Sequence, residues 1–142
     1  MNIPDKIGTE VGWRGWQVTV RGHVAFLHSI VHDALWPASE AFQAVCSKGH
    51  TAPDDRCTCG VYAARSLPHL RKIAYHTFAV LGEVHLWGTV VPGRLGWRAQ
   101  YAYPKQLYVP HERYHVVAPL RTSYGVPVNL INPYTGEPHE HR

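Results

Sequence analysis

Cysteine is scarce in this chain, and acidic residues are fewer than basic ones. Only three cysteines occur among the 142 residues, and all three lie between positions 46 and 59. Three thiols cannot all pair with one another, which disfavours a disulfide framework and leaves metal binding or free thiols. No stretch approaches the roughly 20 apolar residues of a membrane helix, and the N-terminal residues lack the apolar core of a signal peptide. We therefore expect a cytoplasmic protein in which the thiols stay reduced.

Several catalytic motifs are absent as well. Neither glycine-rich phosphate loop, G-x-x-x-x-G-K or G-x-G-x-x-G, occurs in the sequence, so nucleotide hydrolysis lacks its usual phosphate cradle. The nucleophile elbow G-x-S-x-G is incomplete, because Arg121 stands where its first glycine belongs. One motif, H-E-x-x-H, does occur at His111–His115. It follows Val109-Pro110 and precedes a β-branched pair, so we expect a polar loop there rather than the helix of a zinc protease.

The composition of the chain is that of a compact, mildly basic domain. Apolar residues make up 45% and charged residues 17%, with a formal net charge of +4 and 11 histidines. This apolar share is enough to bury a core, which excludes wholesale disorder. The length fits a single domain over residues 1–142, with a mobile lead-in at 1–11 and a mobile tail at 134–142.

Alternation of apolar and polar side chains predicts most of the secondary structure. It indicates strands near 13–31, with a turn at Gly22-His23, and near 78–91 and 97–103. A further strand is expected at 114–118. A helix is expected near 60–75, with a first turn at 62–64 and a second piece that begins with a Ser66 cap and Pro68. The predicted fold is α+β, mainly an antiparallel sheet or partial barrel with one helical segment and a metal-pinned loop.

The three cysteines and one histidine form the pattern Cys46-x3-His50-x6-Cys57-x-Cys59. Three thiols and an imidazole are a complete ligand set for tetrahedral zinc, although the spacing is not that of a standard finger. We therefore predict a structural zinc site. Two alternatives stay open: all three cysteines are ordinary buried thiols, or Cys57 or Cys59 is a nucleophile activated by His50 or by a helix start.

Several sequence motifs in and around this cluster resemble those of a known family. They comprise W-R-x-W at 13–16, C-x3-H-x-A-P-x3-C-x-C-G-V-Y-A at 46–63, L-W-G-x-V at 86–90 and G-W-R-A at 96–99. In combination, these motifs resemble a family of small uncharacterised proteins of actinobacteria and actinobacteriophages, over about residues 11–109. The resemblance implies such a source and a cytoplasmic setting, and it carries over no catalytic residues.

These observations support three hypotheses about function. The first is a non-enzymatic recognition module with a structural zinc site, for example a phage accessory protein that binds a host protein in the host cytoplasm. The second is nucleic-acid binding, with aromatic rings (Trp87, Trp97, Tyr101, Tyr103) beside basic side chains, although we expect those rings mainly to fill the core. Its candidate residues are Arg65, Arg71, Lys72, Arg94, Arg98 and Lys105. The third is a cysteine- or zinc-dependent enzyme.

Overall fold

The computed structural model describes residues 10–29, 34–54, 56–74 and 78–131, with side chains omitted for 71–74. Most of the described chain is β-strand. The strands are β1 (Glu10–Arg21), β2 (Val24–His28), β3 (Leu35–Trp36), β4 (Phe42–Gln43), β5 (Val61–Ala64), β6 (Val80–Pro92), β7 (Gly96–Pro110) and β8 (Val128–Ile131). The helices are α1 (Leu67–Ala74), a 3-10 helix (His111–Val116) and α2 (Val117–Tyr124).

Four of the strands close into a partial barrel. Strand β6 pairs with β1 on one side and with β7 on the other, and β5 pairs with both β7 and β1. The pairing of β5 with β1 consists of a single residue pair, Trp13 with Ala64, so these two strands part immediately after they meet. At the β5–β7 seam, a Cβ on Gly96 would lie 2.0 Å from the carbonyl oxygen of Ala63, so this close approach requires glycine.

The far end of β1 continues into a second, smaller sheet with β2 and β3. Helix α2 packs against this sheet and supplies hydrogen-bond partners for its backbone. The Tyr124 hydroxyl accepts from the Leu27 amide at 2.8 Å and donates to the Trp36 carbonyl at 2.6 Å. Ser123 Oγ accepts from the Ala25 amide at 3.0 Å. These contacts satisfy polar backbone groups that would otherwise be buried without partners.

Large side chains from both sheets fill the core. Trp16 and Trp36 are fully buried and meet edge to face, with ring centroids 5.3 Å apart. Phe42 also stacks on Trp36, with ring centroids 4.7 Å apart. Aliphatic side chains of the β6–β7 hairpin, such as Val84, Leu86 and Leu107, complete the interior.

The predicted fold class is confirmed: the described chain is dominated by an antiparallel sheet that closes into a partial ring. The turn at Gly22-His23 joins β1 to β2 as expected. Helix α1 begins after Ser66, whose Oγ accepts from the His69 amide at 3.3 Å. Among these residues, β8 departs from the antiparallel pattern and lies parallel to β7.

Several details of the sequence prediction were wrong. Residues Val61–Ala64 form β5 rather than a helical turn, because their backbone pairs with the distant β7. The expected strand at 114–118 is helical instead: α2 accepts Pro119 in its first turn and ends at Gly125 in the left-handed conformation. Strand β1 begins at Glu10, so two residues of the expected lead-in belong to a strand, while 1–9 and the tail at 134–142 lie outside the described residues.

Candidate metal centre

The predicted ligand residues meet in one cluster. The ligand atoms of Cys46, His50, Cys57 and Cys59 all lie within 4.8 Å of one another. The Cys46 sulfur is 3.6 Å from His50 Nδ1 and 3.8 Å from the Cys57 sulfur. A disulfide requires about 2.05 Å between sulfurs, so the three thiols are free. The four side chains are close enough to bind a metal ion.

A tight turn places the first two ligands. The amide of Gly49 donates to the Cys46 carbonyl at 3.1 Å, and Gly49 has a φ of +86° that favours glycine. The turn directs the backbone amides of Lys48 and His50 at the Cys46 sulfur. These hydrogen bonds, above all the one from Lys48, lower the pKa of Cys46 from 9.0 to about 7 against the opposing effect of burial. The backbone is therefore arranged to stabilise a thiolate at this position.

A second turn places the other two ligands. The carboxylate of Asp54 accepts from the Arg56 amide at 2.8 Å, and its carbonyl accepts from the Cys57 amide at 3.0 Å. Burial raises the pKa of Cys59, and the neighbouring Cys46 and Cys57 thiols raise it further, while the Asp54 amide opposes both. Three crowded thiols cannot all ionise cheaply without a compensating cation, which is what a bound metal supplies.

One arginine ties this segment to the barrel. Arg98 extends from β7, and its Nη1 donates to the carbonyls of Asp54 at 3.1 Å, of Cys59 at 2.8 Å and of Cys57. Gly60 follows the last ligand with a φ of +123°, where a Cβ would lie 3.1 Å from that of Arg98. The backbone around Cys57 and Cys59 is thus fixed by a charged side chain from the sheet.

A large cleft lies beside the cluster. Its volume is about 1240 Å³, and it is lined by all three cysteines together with parts of β1, β5 and the β6–β7 turn. Its basic lining residues are Arg14, Lys48, Arg94 and Arg98, whereas no aspartate or glutamate lines it among the described residues. Most other lining side chains are apolar or aromatic, so the cleft combines a hydrophobic surface with positive charge.

Of the six candidate nucleic-acid residues, the four whose side chains are described do not form one surface patch with free side chains. Arg65 donates to the Gly93 carbonyl at 2.7 Å and lies over the Trp97 ring, 4.6 Å from its centroid. Lys105 pairs with Glu83 at 3.7 Å, and Arg98 holds the cysteine segment. Arg94 lies in the β6–β7 turn and lines the cleft. The side chains of Arg71 and Lys72 lie outside the part that the structure describes.

The predicted aromatic platform is largely occupied by internal contacts. Trp87 and Tyr101 stack on each other with centroids 6.0 Å apart, and Arg65 covers one face of Trp97. Tyr103 is buried, and its hydroxyl donates to the Tyr124 carbonyl at 2.7 Å. These contacts agree with the expectation that the rings mainly contribute to packing.

The H-E-x-x-H motif lies in the 3-10 helix His111–Val116, which loses helical geometry at Arg113. It is therefore helical rather than the predicted loop, but it is not the α-helix that places both histidines of a zinc protease on one face. His111, Glu112 and His115 are exposed. Within the described ranges, the only group of three or more potential ligands is the cysteine–histidine cluster.

Comparisons with protein-family models, curated proteins and solved structures give no match for this chain. No helix among the described residues is long and apolar enough to cross a membrane.

Two features of the centre and its cleft do not follow from the sequence pattern. They are the position of Arg14 in the cleft and the anchoring of the cysteine segment by Arg98. The Arg14–Tyr62 and Arg98–Cys59 hydrogen bonds join residues about forty or more positions apart in the chain, and no local pattern reports such contacts.

Proposed function

We propose that this chain is a non-enzymatic recognition domain with a structural zinc ion that binds another protein. The geometry of the ligand cluster carries the proposal. A tetrahedral zinc ion with bonds of about 2.3 Å to sulfur and about 2.05 Å to nitrogen places two sulfurs about 3.8 Å apart and a sulfur and nitrogen about 3.6 Å apart. The Cys46–Cys57 and Cys46–His50 distances are 3.8 and 3.6 Å, and all four ligand atoms lie within 4.8 Å of one another.

The composition of the cluster favours a structural over a catalytic role. Three thiolates and one imidazole complete a four-coordinate shell, whereas catalytic zinc sites keep one position for water or substrate. The anchoring of the Asp54, Cys57 and Cys59 carbonyls by Arg98 also favours rigidity. A zinc ion held in this way fixes a segment that has few large buried side chains of its own.

Exposed apolar side chains beside the zinc site support the binding of a protein. Val45 is 85% exposed although it directly precedes a ligand, and Tyr62 and Leu95 are about half exposed. All three line the cleft. Apolar side chains grouped at a concave surface are typical of protein-recognition sites, where they are desolvated by the partner.

The sequence resemblance suggests the biological setting of this activity. We propose that the protein is an accessory protein of an actinobacterium or of its bacteriophage, and that its partner is a protein of the bacterial cytoplasm. A reducing compartment keeps three free thiols available to a metal.

Nucleic-acid binding is the second candidate, because the four charged residues described along the cleft are all basic. It ranks below protein recognition, since Arg65, Arg98 and Lys105 have partners within the fold and the large rings stack on one another. A shift of labelled single-stranded oligonucleotides at low salt would move it to first place. No shift under those conditions would remove it.

Native mass spectrometry tests the zinc site. We expect one zinc ion per chain, and we expect cobalt substitution to give the visible spectrum of tetrahedral thiolate coordination. Cys57→Ser should weaken zinc binding and the tetrahedral cobalt spectrum. Ser47→Ala leaves all four ligands in place and should retain zinc binding and this spectrum. A folded chain that takes up no zinc, or an octahedral cobalt spectrum, would contradict the proposal.

A pair of surface variants tests protein recognition at the cleft. Val45→Asp places a charge on an exposed lining residue, and Leu35→Asp places one on an exposed residue outside the cleft. The zinc-loaded chain is used to capture proteins from an actinobacterial lysate. Proteins that bind the wild type and Leu35→Asp equally but not Val45→Asp support the proposal. Identical capture by all three chains argues against this surface.

A further inference from the structure

Arg14 is a cation without a described acidic partner at the wall of the cleft. Its Nη1 donates to the Tyr62 carbonyl at 2.7 Å and its Nη2 to Ser29 Oγ at 3.0 Å. The guanidinium carbon lies 5.2 Å from the centroid of the Trp36 ring, and Trp36 Nε1 donates to the same Ser29 oxygen at 3.1 Å. The one ion pair among described residues joins Lys105 to Glu83, so no described carboxylate neutralises Arg14.

The energetic cost of this arrangement suggests a ligand. Burial lowers the pKa of Arg14 from 12.5 to about 10, which means that the fold destabilises the charged guanidinium. Its Nε is buried without a hydrogen-bond partner, and each terminal nitrogen keeps one N–H that no described residue accepts. Charges with little access to solvent are normally paired in proteins, and an arginine held in place without a described acidic partner is a preformed receptor for an anion.

The position of Arg14 connects this receptor to the cleft. Strands β1 and β5 separate after the pair Trp13–Ala64, and the Arg14 side chain spans from β1 to the carbonyl of Tyr62 on β5. Arg14 therefore lines the cleft where the two strands of the barrel separate. The other residues that line the cleft are mainly basic or apolar. The volume of about 1240 Å³ exceeds the roughly 300–1,000 Å³ of small-molecule sites, and an open groove of this size fits a peptide segment.

We propose that the cleft binds an apolar peptide segment of the partner protein through an aspartate or glutamate side chain, whose carboxylate is held by Arg14. The proposal rests on the proposed function as a protein-recognition domain and specifies the chemistry of its partner. Ser29, Tyr62 and Trp36 orient the guanidinium, so its two remaining terminal N–H groups are available for a carboxylate. Val45 and Leu95 contact the apolar neighbours of the acidic residue.

Selection from a yeast-displayed library of random dodecapeptides on the zinc-loaded full chain tests this chemistry. We expect the enriched peptides to carry an aspartate or glutamate next to apolar residues. Replacing that residue in the best peptide by asparagine or glutamine should weaken binding about 30-fold, as expected for the loss of one partner of a desolvated charge pair. This comparison leaves the protein unchanged, so no effect on its folding enters the result.

Protein variants then assign the effect to Arg14. Arg14→Gln should weaken the best acidic peptide about 30-fold and remove its advantage over the neutral peptide, whereas Arg94→Gln, an exposed cation of the same cleft, should weaken it only about threefold. Enriched peptides without acidic residues, or an unchanged preference in Arg14→Gln, would overturn the inference and leave protein recognition in place. If no displayed peptide is enriched above yeast cells that display no peptide, this result would overturn protein recognition itself.

Discussion

The metal loop, residues 44–60, and the β6–β7 hairpin are held together by different forces. Within the described part of the loop, the buried side chains are Ala44, Cys46, Ala52 and Pro53, none of them large. The hairpin buries branched and aromatic side chains on both strands, including Leu86, Leu107 and Tyr103. A hairpin of this kind is stabilised by removal of apolar surface from water, at about 25 cal/mol for each Å².

The loop gains little from this source and depends on polar contacts instead. Its backbone is fixed by Arg98, by two turns and by four ligand side chains that a metal would join. Such contacts stabilise a segment only while the metal and the charged donor are present. The comparison therefore predicts that the two regions respond differently to the same perturbation, and the following experiments examine this difference.

Metal removal should give the largest effect. We expect chelation of the zinc-loaded protein to lower the free energy of unfolding by at least about 3 kcal/mol, because the loop loses the contact that orders it. Hydrogen exchange should accelerate strongly over residues 46–60 and much less in the centre of β6 and β7. Cys57→Ser should resemble the chelated wild type and respond little to chelator. Equal acceleration in both regions would contradict the distinction.

Two arginines that bind carbonyls give a matched comparison of smaller size. Arg98→Ala leaves three carbonyls of the loop without their charged donor, and we expect a loss of about 2–3 kcal/mol in the zinc-loaded protein. Arg65→Ala removes a donor to one exposed carbonyl of the hairpin turn and a contact with Trp97, for about 0.5–1 kcal/mol. Denaturant unfolding measures the loss of unfolding free energy in both variants. Equal losses would show that the loop does not depend on Arg98 more than the hairpin turn depends on Arg65.

The same contrast explains which features are predictable from the sequence. The hairpin follows from alternation with a period of two, and the ligand cluster follows from four metal-binding residues within one short segment. Both patterns are local. Strand β5 was predicted as helix, because its residues adopt extended structure only through pairing with β7. Helix α2 was missed because Val116 and Val117 favour a strand, although Pro119 and Gly125 are compatible with a helix start and end.

The role of a charged residue was the least predictable feature. Arg98 was expected as a nucleic-acid contact, yet its guanidinium faces the carbonyls of residues 54, 57 and 59. Arg14 drew attention only through the W-R-x-W motif, and its place in the cleft depends on Tyr62 and Ser29. Composition gives the number of cations, but the fold decides which of them remain without an acidic partner.

Alkaline pH should act on the hairpin, through one tyrosine of β7. Tyr108 on β7 stacks on Trp13 with centroids 5.7 Å apart, and burial and the charge of Glu83 raise its pKa from 10.0 to about 12. The folded protein therefore keeps the phenol proton at a pH where the unfolded chain has lost it. The stability that Tyr108 contributes is full below pH 10 and is lost as the pH rises through about 12.

Tyr108→Phe isolates this contribution, because the variant keeps the ring and the same three thiols as the wild type. We expect the two proteins to differ by less than about 1 kcal/mol at pH 8, where the phenol is protonated in both states. Between pH 10 and 12 the wild type should lose stability faster than the variant, measured by denaturant unfolding at each pH. If stability falls equally with pH in the wild type and in Tyr108→Phe, ionisation of Tyr108 is not linked to unfolding.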